Sequence, residues 1–248
     1  MRAAQPGKSS TRTRPSAGPA LSTARPRKAV LSRFPGVWAQ MIGPMNTPDD
    51  LISLLVTSDQ LLARGITSQS INRAVKSGDL IRLRPGFYVE GRARDLGRRE
   101  RHLLSILAAD AALDAPVFSH SSAALLHGLP DWGLPLRRVA VCEDGPTPRS
   151  RTTSLTTFRT APGLSDEVMT VNGLRVTTPA RTVTDIAIST PRDASVAVAD
   201  AALYGEIVTR DALDESLRRS AGRRGIRRAR QSLSVVDGRS KSCLLYTS

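Results

Sequence analysis

Apolar and polar positions follow two different periods between residues 54 and 89. Over residues 61–75 apolar side chains recur every three or four positions, as they do on one side of a short helix. Over residues 80–84 apolar residues alternate with arginine, which is typical of a half-buried strand. Residues 87–89 return as a second strand after the turn dipeptide Pro-Gly at 85–86. Two short helices followed by a hairpin predict a winged helix-turn-helix.

Capping residues set the ends of the two predicted helices. The first helix begins at Thr57 or Ser58, whose hydroxyl can accept hydrogen bonds from the free amides of a first turn, and it ends near Gly65. The second helix begins at Thr67 or Ser68 and ends at Gly78. The residues of this second helix that we expect to face inward are Ile71, Ala74 and Val75.

The outward side of the second helix carries residues that can read DNA. These are Ser68, Gln69, Asn72, Arg73 and Lys76. Glutamine and asparagine can pair bidentately with adenine, and arginine can pair with guanine, in the major groove. Arg82 and Arg84, expected on one face of the hairpin beside this helix, suit phosphates, as does Lys76. The pattern predicts binding to duplex DNA; a winged helix that contacts a protein and a helical hairpin with a solvated polar face are the alternatives.

Charge, length and cysteine content limit the kinds of partner, domain organisation and site that the sequence predicts. The chain has 248 residues and a net charge of +14, which favours an acidic polymer as partner and leaves room for one large or two modest domains. With only Cys142 and Cys243, neither a disulfide framework nor a thiolate-rich zinc site is predicted. Because the sequence has no long apolar run, we expect no membrane span and a cytoplasmic protein.

The two ends differ from the rest of the sequence. Residues 1–46 form a predicted disordered basic tail, rich in Pro, Ser and Gly, with eight cationic residues and no acid before Met45. The tail is either an arm on DNA or the product of a wrongly assigned start; a start at Met45 would lower the net charge from +14 to +6. Residues 237–248 are interpreted as a truncated end, of which residues 243–248 resemble translated sequencing adapter.

After the hairpin the pattern changes to mixed helices and strands. A charged link at 90–101 leads to a helix at 102–113, a short apolar piece at 117–118 and a helix that Ser119 caps and Gly128 closes. The predicted strands are 136–143, 155–159, 168–171 and 174–176, with a polar loop at 144–152 and an Asn-Gly hairpin turn at 172–173. Helices follow from Thr178, at 192–203 and at 211–217. The prediction is an α+β chain with a winged helix at 47–92 and a mixed domain at 98–236.

Candidates for catalysis within this second region are few. His120 and His127 are two helical turns apart and share a face, but no acid or cysteine stands at ligand spacing, so a capping role or hydrogen bonding within the core is expected. Asp185 and Asp200 have no partner at nucleophile–base spacing, and the chain has no glycine-rich phosphate loop. We therefore predict no catalytic residue, no metal, no cofactor and no enzyme in this sequence.

A second basic cluster follows the predicted helices. It contains seven arginines and no acid between residues 218 and 230. One interpretation is a second surface for phosphates. The other is a solvated basic face on a segment that packs through Ile226, Leu233 and Val236. The sequence favours neither.

Three motifs in this order resemble a known family. They are VTSDQLLARGITSQSINRAVKSGDLIRLRPGFYV at 56–89, SHSSAALLHGL at 119–129 and VNGLRVTTPARTVTDIA at 171–187. Together they resemble the AbiEi-like antitoxins of actinobacteria, over roughly residues 50–237. The resemblance implies a type IV toxin–antitoxin system, in which the antitoxin represses its own operon and counteracts a nucleotidyltransferase-like toxin without a stable complex. Similar chains continue into a very-short-patch-repair-like endonuclease domain, so the alternative is the N-terminal part of such a protein.

Overall fold

The computed structural model describes residues 48–147 and 149–236 and begins with a winged helix-turn-helix. Its elements are α1 (Pro48–Leu54), β1 (Leu55–Thr57), α2 (Ser58–Ala63), α3 (Ser68–Ser77), β2 (Leu80–Arg84) and β3 (Phe87–Glu90). The three strands form an antiparallel sheet in the order β1-β3-β2. The predicted pair of helices and hairpin is confirmed, and α1 and β1 are added to it. The predictions for residues 1–46 and 237–248 lie outside the described residues.

Threonines cap both helices of the helix-turn-helix. Thr57 and Gln60 form a capping box: the Thr57 hydroxyl accepts from the Gln60 amide at 3.2 Å, and the Gln60 side chain accepts from the Thr57 amide at 2.9 Å. Thr67 caps α3 by accepting from the Ser70 amide at 3.2 Å. Gly78 ends α3 with a left-handed backbone, φ +87°. Of the alternatives that the sequence allows, the structure selects the threonines.

The second region is built on a six-stranded sheet with helices before and after its strands. Its helices are α4 (Arg98–Ala112), α5 (His120–Leu126), α6 (Pro179–Ser189), α7 (Arg192–Tyr204), α8 (Arg210–Arg219) and α9 (Ile226–Leu233), with 3-10 helices at Gly91–Asp95 and Leu164–Glu167. Its strands are β4 (Val117–Phe118), β5 (Val139–Asp144), β6 (Arg149–Thr152), β7 (Thr156–Ala161), β8 (Val168–Val171) and β9 (Leu174–Thr177). No helix in the described ranges has both the length and the apolar character needed to cross a membrane.

The six strands lie in the order β6-β7-β5-β4-β9-β8. The pairs β5–β7 and β4–β9 are parallel, and the other neighbours are antiparallel. Asn172 and Gly173 have positive φ values of 49° and 77°, as the predicted hairpin turn between β8 and β9 requires. The prediction of a loop at 144–152 was wrong in part, because β6 lies there. All four of its side chains are exposed at the sheet edge, so no apolar alternation marks it.

One hydrophobic core runs through both regions. Leu51 of α1 and Val89 of β3 belong to the same cluster as Leu104 of α4 and Val176 of β9. A separate small cluster under the helix-turn-helix contains Val56, Leu61, Ile71 and Tyr88. The three-stranded sheet therefore has α2 and α3 on one face and the main core on the other.

Helix α4 connects the winged helix with the larger sheet. It begins at Arg98, four residues before the predicted start at residue 102. The first turn was predicted to be part of a charged link, but contacts of its arginines hold it in place. Arg98 and Arg99 donate hydrogen bonds to the backbone carbonyls of Leu134 and Leu129, respectively. These bonds hold the loop that follows α5 against the first turn of α4.

Candidate nucleic-acid interface and buried polar clusters

Helix α3 presents the predicted DNA-reading residues together. Ser68, Gln69, Asn72, Arg73 and Lys76 are all exposed. Gln69, Asn72, Arg73 and Lys76 stand at spacings of three and four residues, which places their side chains on one side of the helix. The opposite side is anchored by Ile71, which is 3% exposed and packs in the small core. A rigidly seated helix thus carries one continuous polar, basic face.

The hairpin does not place Arg82 and Arg84 as predicted. Arg82 pairs with Tyr88, but the next pair is Arg84 with Phe87, so the register shifts by one residue between them. Tyr88 lies in the small core beneath α3, whereas Phe87 packs against the main core. Because directly opposed residues share a face, the β-bulge puts Arg82 on the α3 side and turns Arg84 to the other side. The expectation that both arginines lie on one face is corrected accordingly.

His120 and His127 are buried and hydrogen-bonded. The ring Nε2 of His127 donates to the backbone carbonyl of Thr177 at 2.7 Å. His120 forms a hydrogen bond of 3.0 Å between its Nδ1 and the Ser119 hydroxyl, and it adopts a left-handed backbone, φ 50°, that is rare for residues other than glycine. Burial lowers the pKa of both rings, that of His120 to about 4. These contacts match a role in core hydrogen bonding.

His102, which was not among the residues predicted from the sequence, has both ring nitrogens hydrogen-bonded. Its Nδ1 donates to the Leu136 carbonyl at 2.7 Å, and its Nε2 accepts from the Ser122 hydroxyl at 2.9 Å. That hydroxyl in turn accepts from the Ala140 amide at 2.9 Å. Because burial lowers the pKa of His102 to about 4, the ring is neutral at neutral pH, and a neutral ring that donates from Nδ1 accepts at Nε2. Helices α4 and α5 and strand β5 are joined by this one side chain.

Asp185 is the centre of a buried ion-pair network. Its Oδ2 accepts from Arg181 Nε at 2.9 Å, and its Oδ1 lies 2.7 Å from Arg223 Nη2. Arg181 also pairs with Glu167. Burial alone would raise the pKa of the Asp185 carboxyl, but His120 and the two guanidiniums together outweigh burial and hold that pKa below its ordinary value. The i,i+4 spacing of Arg181 and Asp185 was visible in the sequence, but the partners Glu167 and Arg223 were not.

The C-terminal arginines divide into two groups. Arg218 and Arg219 pair with Glu215, Arg223 pairs with Asp185, and Arg228 donates to the Ile188 carbonyl. The second group consists of Arg224, Arg227 and Arg230, which are exposed. Ile226, Leu233 and Val236 are buried, as the packing interpretation expects.

Two of the candidate enzymatic residues, His120 and Asp185, lie close enough that each shifts the pKa of the other, and both take part in the buried contacts described above. Asp200 is half-buried on α7, away from any cluster of metal-ligating groups. Within residues 48–147 and 149–236, no set of three or more His, Cys, Asp or Glu side chains is arranged to hold a metal ion. The predicted DNA-reading face of α3 is therefore the candidate site that the described part of the chain supports best.

Two protein-family models match separate parts of this chain. A family model described as "Transcriptional regulator, AbiEi antitoxin" matches residues 53–91, which contain the helix-turn-helix and the wing. A second, "AbiEi antitoxin C-terminal domain", matches residues 115–235, from the start of β4 to the end of α9. The chain belongs to the AbiEi-like antitoxin family. The two motifs of this AbiEi-like protein that contain His120 and Asp185 thus fall in the C-terminal domain, and the predicted DNA-reading face of α3 falls in the regulator module.

Two proteins of Mycobacterium tuberculosis are similar to the AbiEi-like chain. They are "Uncharacterized protein MT2308" of strain CDC 1551 / Oshkosh and "Uncharacterized protein Rv2248" of strain H37Rv. Each is 29% identical to it over 180 residues, which are 72% of this chain. The chain spans 62% of the length of these relatives.

Proposed function

We propose that this chain is a DNA-binding transcriptional regulator and antitoxin of a type IV toxin–antitoxin system, which represses its own operon. The observation that carries the DNA-binding part is the outward face of α3, where Gln69, Asn72 and Arg73 stand side by side and exposed. These are the side-chain types that pair bidentately with adenine and guanine. They sit in the part of the chain that matches a transcriptional-regulator model. We propose no enzymatic role for the described residues.

Phosphate contacts would flank this reading face. Lys76 lies at the last turn of α3, and Arg82 lies on β2 on the same side of the sheet as the small core under α3. Both are exposed. Contacts of this kind fix the register of a protein on the duplex and contribute most of the salt-dependent affinity. In this proposal α3 reads bases and the two flanking cations position it.

The promoter region upstream of the gene provides the test of repression. A reporter fused to that region should be repressed by the full chain, and repression should be lost in a variant that combines Asn72→Ala with Arg73→Ala. Arg192→Ala is the matched control, because it removes an exposed cation at the start of α7. Repression that is equal in wild type and in the Asn72/Arg73 double variant would refute regulation through α3.

The antitoxin part rests on the match of residues 115–235 to the antitoxin C-terminal domain. We propose that this region counteracts a nucleotidyltransferase-like toxin without forming a stable complex, in the cytoplasm. Co-expression with such a toxin from an adjacent gene should restore growth, and affinity purification should recover no toxin. Arg73→Ala, expressed from a foreign promoter, should still restore growth, because it alters the regulator module alone. Failure of the wild type to restore growth would refute the antitoxin part while leaving DNA binding intact.

Protein contact is the competing function of the winged helix. Leu62 and Ile66 are apolar and exposed beside α3, at 47% and 37% of their accessible surface, and a protein partner would bury them. A duplex would leave them near solvent. Charge reversal on α3 should abolish DNA binding under our proposal, whereas Leu62→Asp should abolish partner binding under the competing one.

A further inference from the structure

A side-chain hydrogen bond, in addition to the shared hydrophobic core, joins the wing of the helix-turn-helix to the C-terminal domain. Arg84, on β2, donates from Nη1 to the Oγ1 of Thr156 at 3.1 Å. Thr156 is the first residue of β7 in the six-stranded sheet and is fully buried. The two residues are 72 positions apart in the sequence. The bond therefore joins the two regions that match separate family models.

The β-bulge in the hairpin makes this bond possible. A regular β2 would put Arg84 on the same face as Arg82, toward α3. The register shift instead places Arg84 opposite Phe87, on the side of the main core. The backbone distortion is thus used to direct one arginine away from the predicted DNA face and into the domain junction.

The surroundings of Arg84 differ from those of the other candidate cations. Lys76 and Arg82 are exposed, whereas Arg84 is half-buried, and burial lowers the pKa of its guanidinium below the ordinary value. A guanidinium that contacts a DNA phosphate has to be accessible on the protein surface. A guanidinium that is partly withdrawn from solvent and bonded to a buried hydroxyl meets that need poorly.

The turn of the wing has a second attachment, to the helix-turn-helix itself. The Gly86 carbonyl, at the turn after Arg84, accepts from the Ser58 amide at 2.9 Å. The wing is consequently held near its turn on two sides, against α2 through Gly86 and against β7 through Arg84. Both attachments fix the position of the wing and therefore also that of Arg82, which lies between the small core and solvent.

We propose that Arg84 is a positioning residue: through Thr156 it fixes the wing on the C-terminal domain and so sets where Arg82 and α3 meet the duplex. Arg84 is then not itself a phosphate contact. The part of this inference that concerns DNA rests on the proposed function, and the part that concerns the junction does not. The two parts are tested separately.

The junction is tested without DNA by a double-mutant cycle. Arg84→Ala, Thr156→Val and the pair together are compared by urea unfolding of the full chain, with Arg82→Ala and Thr156→Val as the matched control pair. We expect the double variant at Arg84 and Thr156 to be as stable as the less stable of the two single variants. This result corresponds to a coupling of about tenfold in the unfolding equilibrium constant. In the control pair, the losses of unfolding free energy of the two single variants should add up to that of the double variant. Additive effects at Arg84 and Thr156 would overturn the proposal.

The positioning role is tested by salt titration of binding to the upstream duplex. Arg84→Ala and Thr156→Val should each weaken binding by about tenfold while leaving the slope of log K against log salt unchanged, because no phosphate contact is lost. Arg82→Ala should lower that slope by about one unit. Arg84→Gln, which keeps a donor without the charge, should recover much of the affinity. Thr156→Ser, which keeps the hydroxyl, should bind as wild type.

Two results would overturn the positioning role. In the first, Arg84→Ala lowers the salt slope by about one unit, Arg84→Gln fails to rescue, and Thr156→Val binds normally; Arg84 would then be a phosphate contact. In the second, neither Arg84→Ala nor Thr156→Val changes affinity although Arg82→Ala does, so the wing would be placed without this bond. If Arg82→Ala also has no effect, the proposed function fails together with the DNA part, while the unfolding cycle still decides the junction.

Discussion

Arg223 reaches from the turn before α9 to the buried carboxylate of Asp185 on α6, with 2.7 Å between Nη2 and Oδ1. Asp185 has no exposed side-chain surface, and its second oxygen is held by Arg181. Through Arg181 the network extends to Glu167 in the 3-10 helix before β8. One carboxylate therefore ties together the sheet edge, α6 and the start of the C-terminal basic helix.

We predict that Asp185→Asn destabilises the protein by about 3–5 kcal/mol, because it removes the counter-charge of Arg223 and one of the two counter-charges of the buried Arg181. Urea unfolding at neutral pH measures the loss. Glu215→Gln is the control: it removes a carboxylate that also pairs with two arginines, Arg218 and Arg219, but on the surface. Exposed ion pairs contribute little, so its effect should be small. Equal losses in both variants would contradict a structural role for the Asp185 network.

The winged helix could be predicted from the sequence because its signals are local. The threonine caps, Gly78 and the three-to-four spacing of Ile71, Ala74 and Val75 all act within one or two helical turns. The β-bulge between Arg82 and Arg84 could not be predicted, since alternation of apolar and basic residues continues through it unchanged. The contact that Arg84 makes beyond the bulge is with Thr156, 72 positions further along the chain.

The buried clusters of the C-terminal domain could be predicted only in part. His120 and His127 were recognised as core residues because no ligand set stood near them in the sequence. His102 was missed because its partners, Leu136 and Ser122, are 34 and 20 positions away. Strand β6 was missed because an exposed edge strand has no apolar face to mark it. For His102 the deciding contacts are long-range, and for β6 the residues themselves lack the alternation of apolar and polar positions that marks a strand.

The histidines make stability depend on pH. In the folded chain the pKa values of His102 and His120 are about 4, against an ordinary value of 6.5 for an unfolded chain. Between these values the unfolded chain binds protons that the folded chain does not, so the stabilisation is complete above pH 6.5 and is lost as the pH falls to about 4. Each ring should contribute a slope of about 1.4 kcal/mol per pH unit within this window.

Urea unfolding between pH 5 and pH 7 measures that slope. We predict that His102→Gln lowers the slope of the unfolding free energy against pH by the contribution of about one proton. A variant that lacks both His102 and His120 should lower this slope by the contribution of about two protons. Unchanged slopes in these variants would show that the rings are protonated in the folded protein.

Cys142 should be inert in the folded protein. It is buried on β5, and burial raises the pKa of its thiol to about 11, so little thiolate forms at neutral pH. In a Cys243→Ser variant, Cys142 is the remaining cysteine of the sequence. A thiol reagent at pH 8 should label this variant slowly without urea and rapidly in urea. Rapid labelling of the folded chain would contradict the burial of this strand.

Lys76 and Arg82 should contribute affinity without sequence preference. We predict that Lys76→Ala or Arg82→Ala weakens binding to every duplex alike and lowers the slope of log K against log salt by about one unit each. Fluorescence anisotropy with labelled duplexes over a range of salt concentrations measures both quantities. A loss confined to one DNA sequence would instead make the side chain a base contact.

Sequence-specific reading of DNA by α3 is the central claim, and Arg73 tests it most directly. The measurement is a salt titration of binding to the native upstream duplex and to a scrambled duplex, for wild type, Arg73→Ala and the charge-matched control Arg192→Ala. We predict that wild type and Arg192→Ala prefer the native duplex, and that Arg73→Ala loses about 1–3 kcal/mol on the native duplex together with base preference at one position. If wild type and Arg73→Ala bind both duplexes equally at every salt concentration, α3 does not read DNA sequence, and the winged helix is a protein-contact module instead.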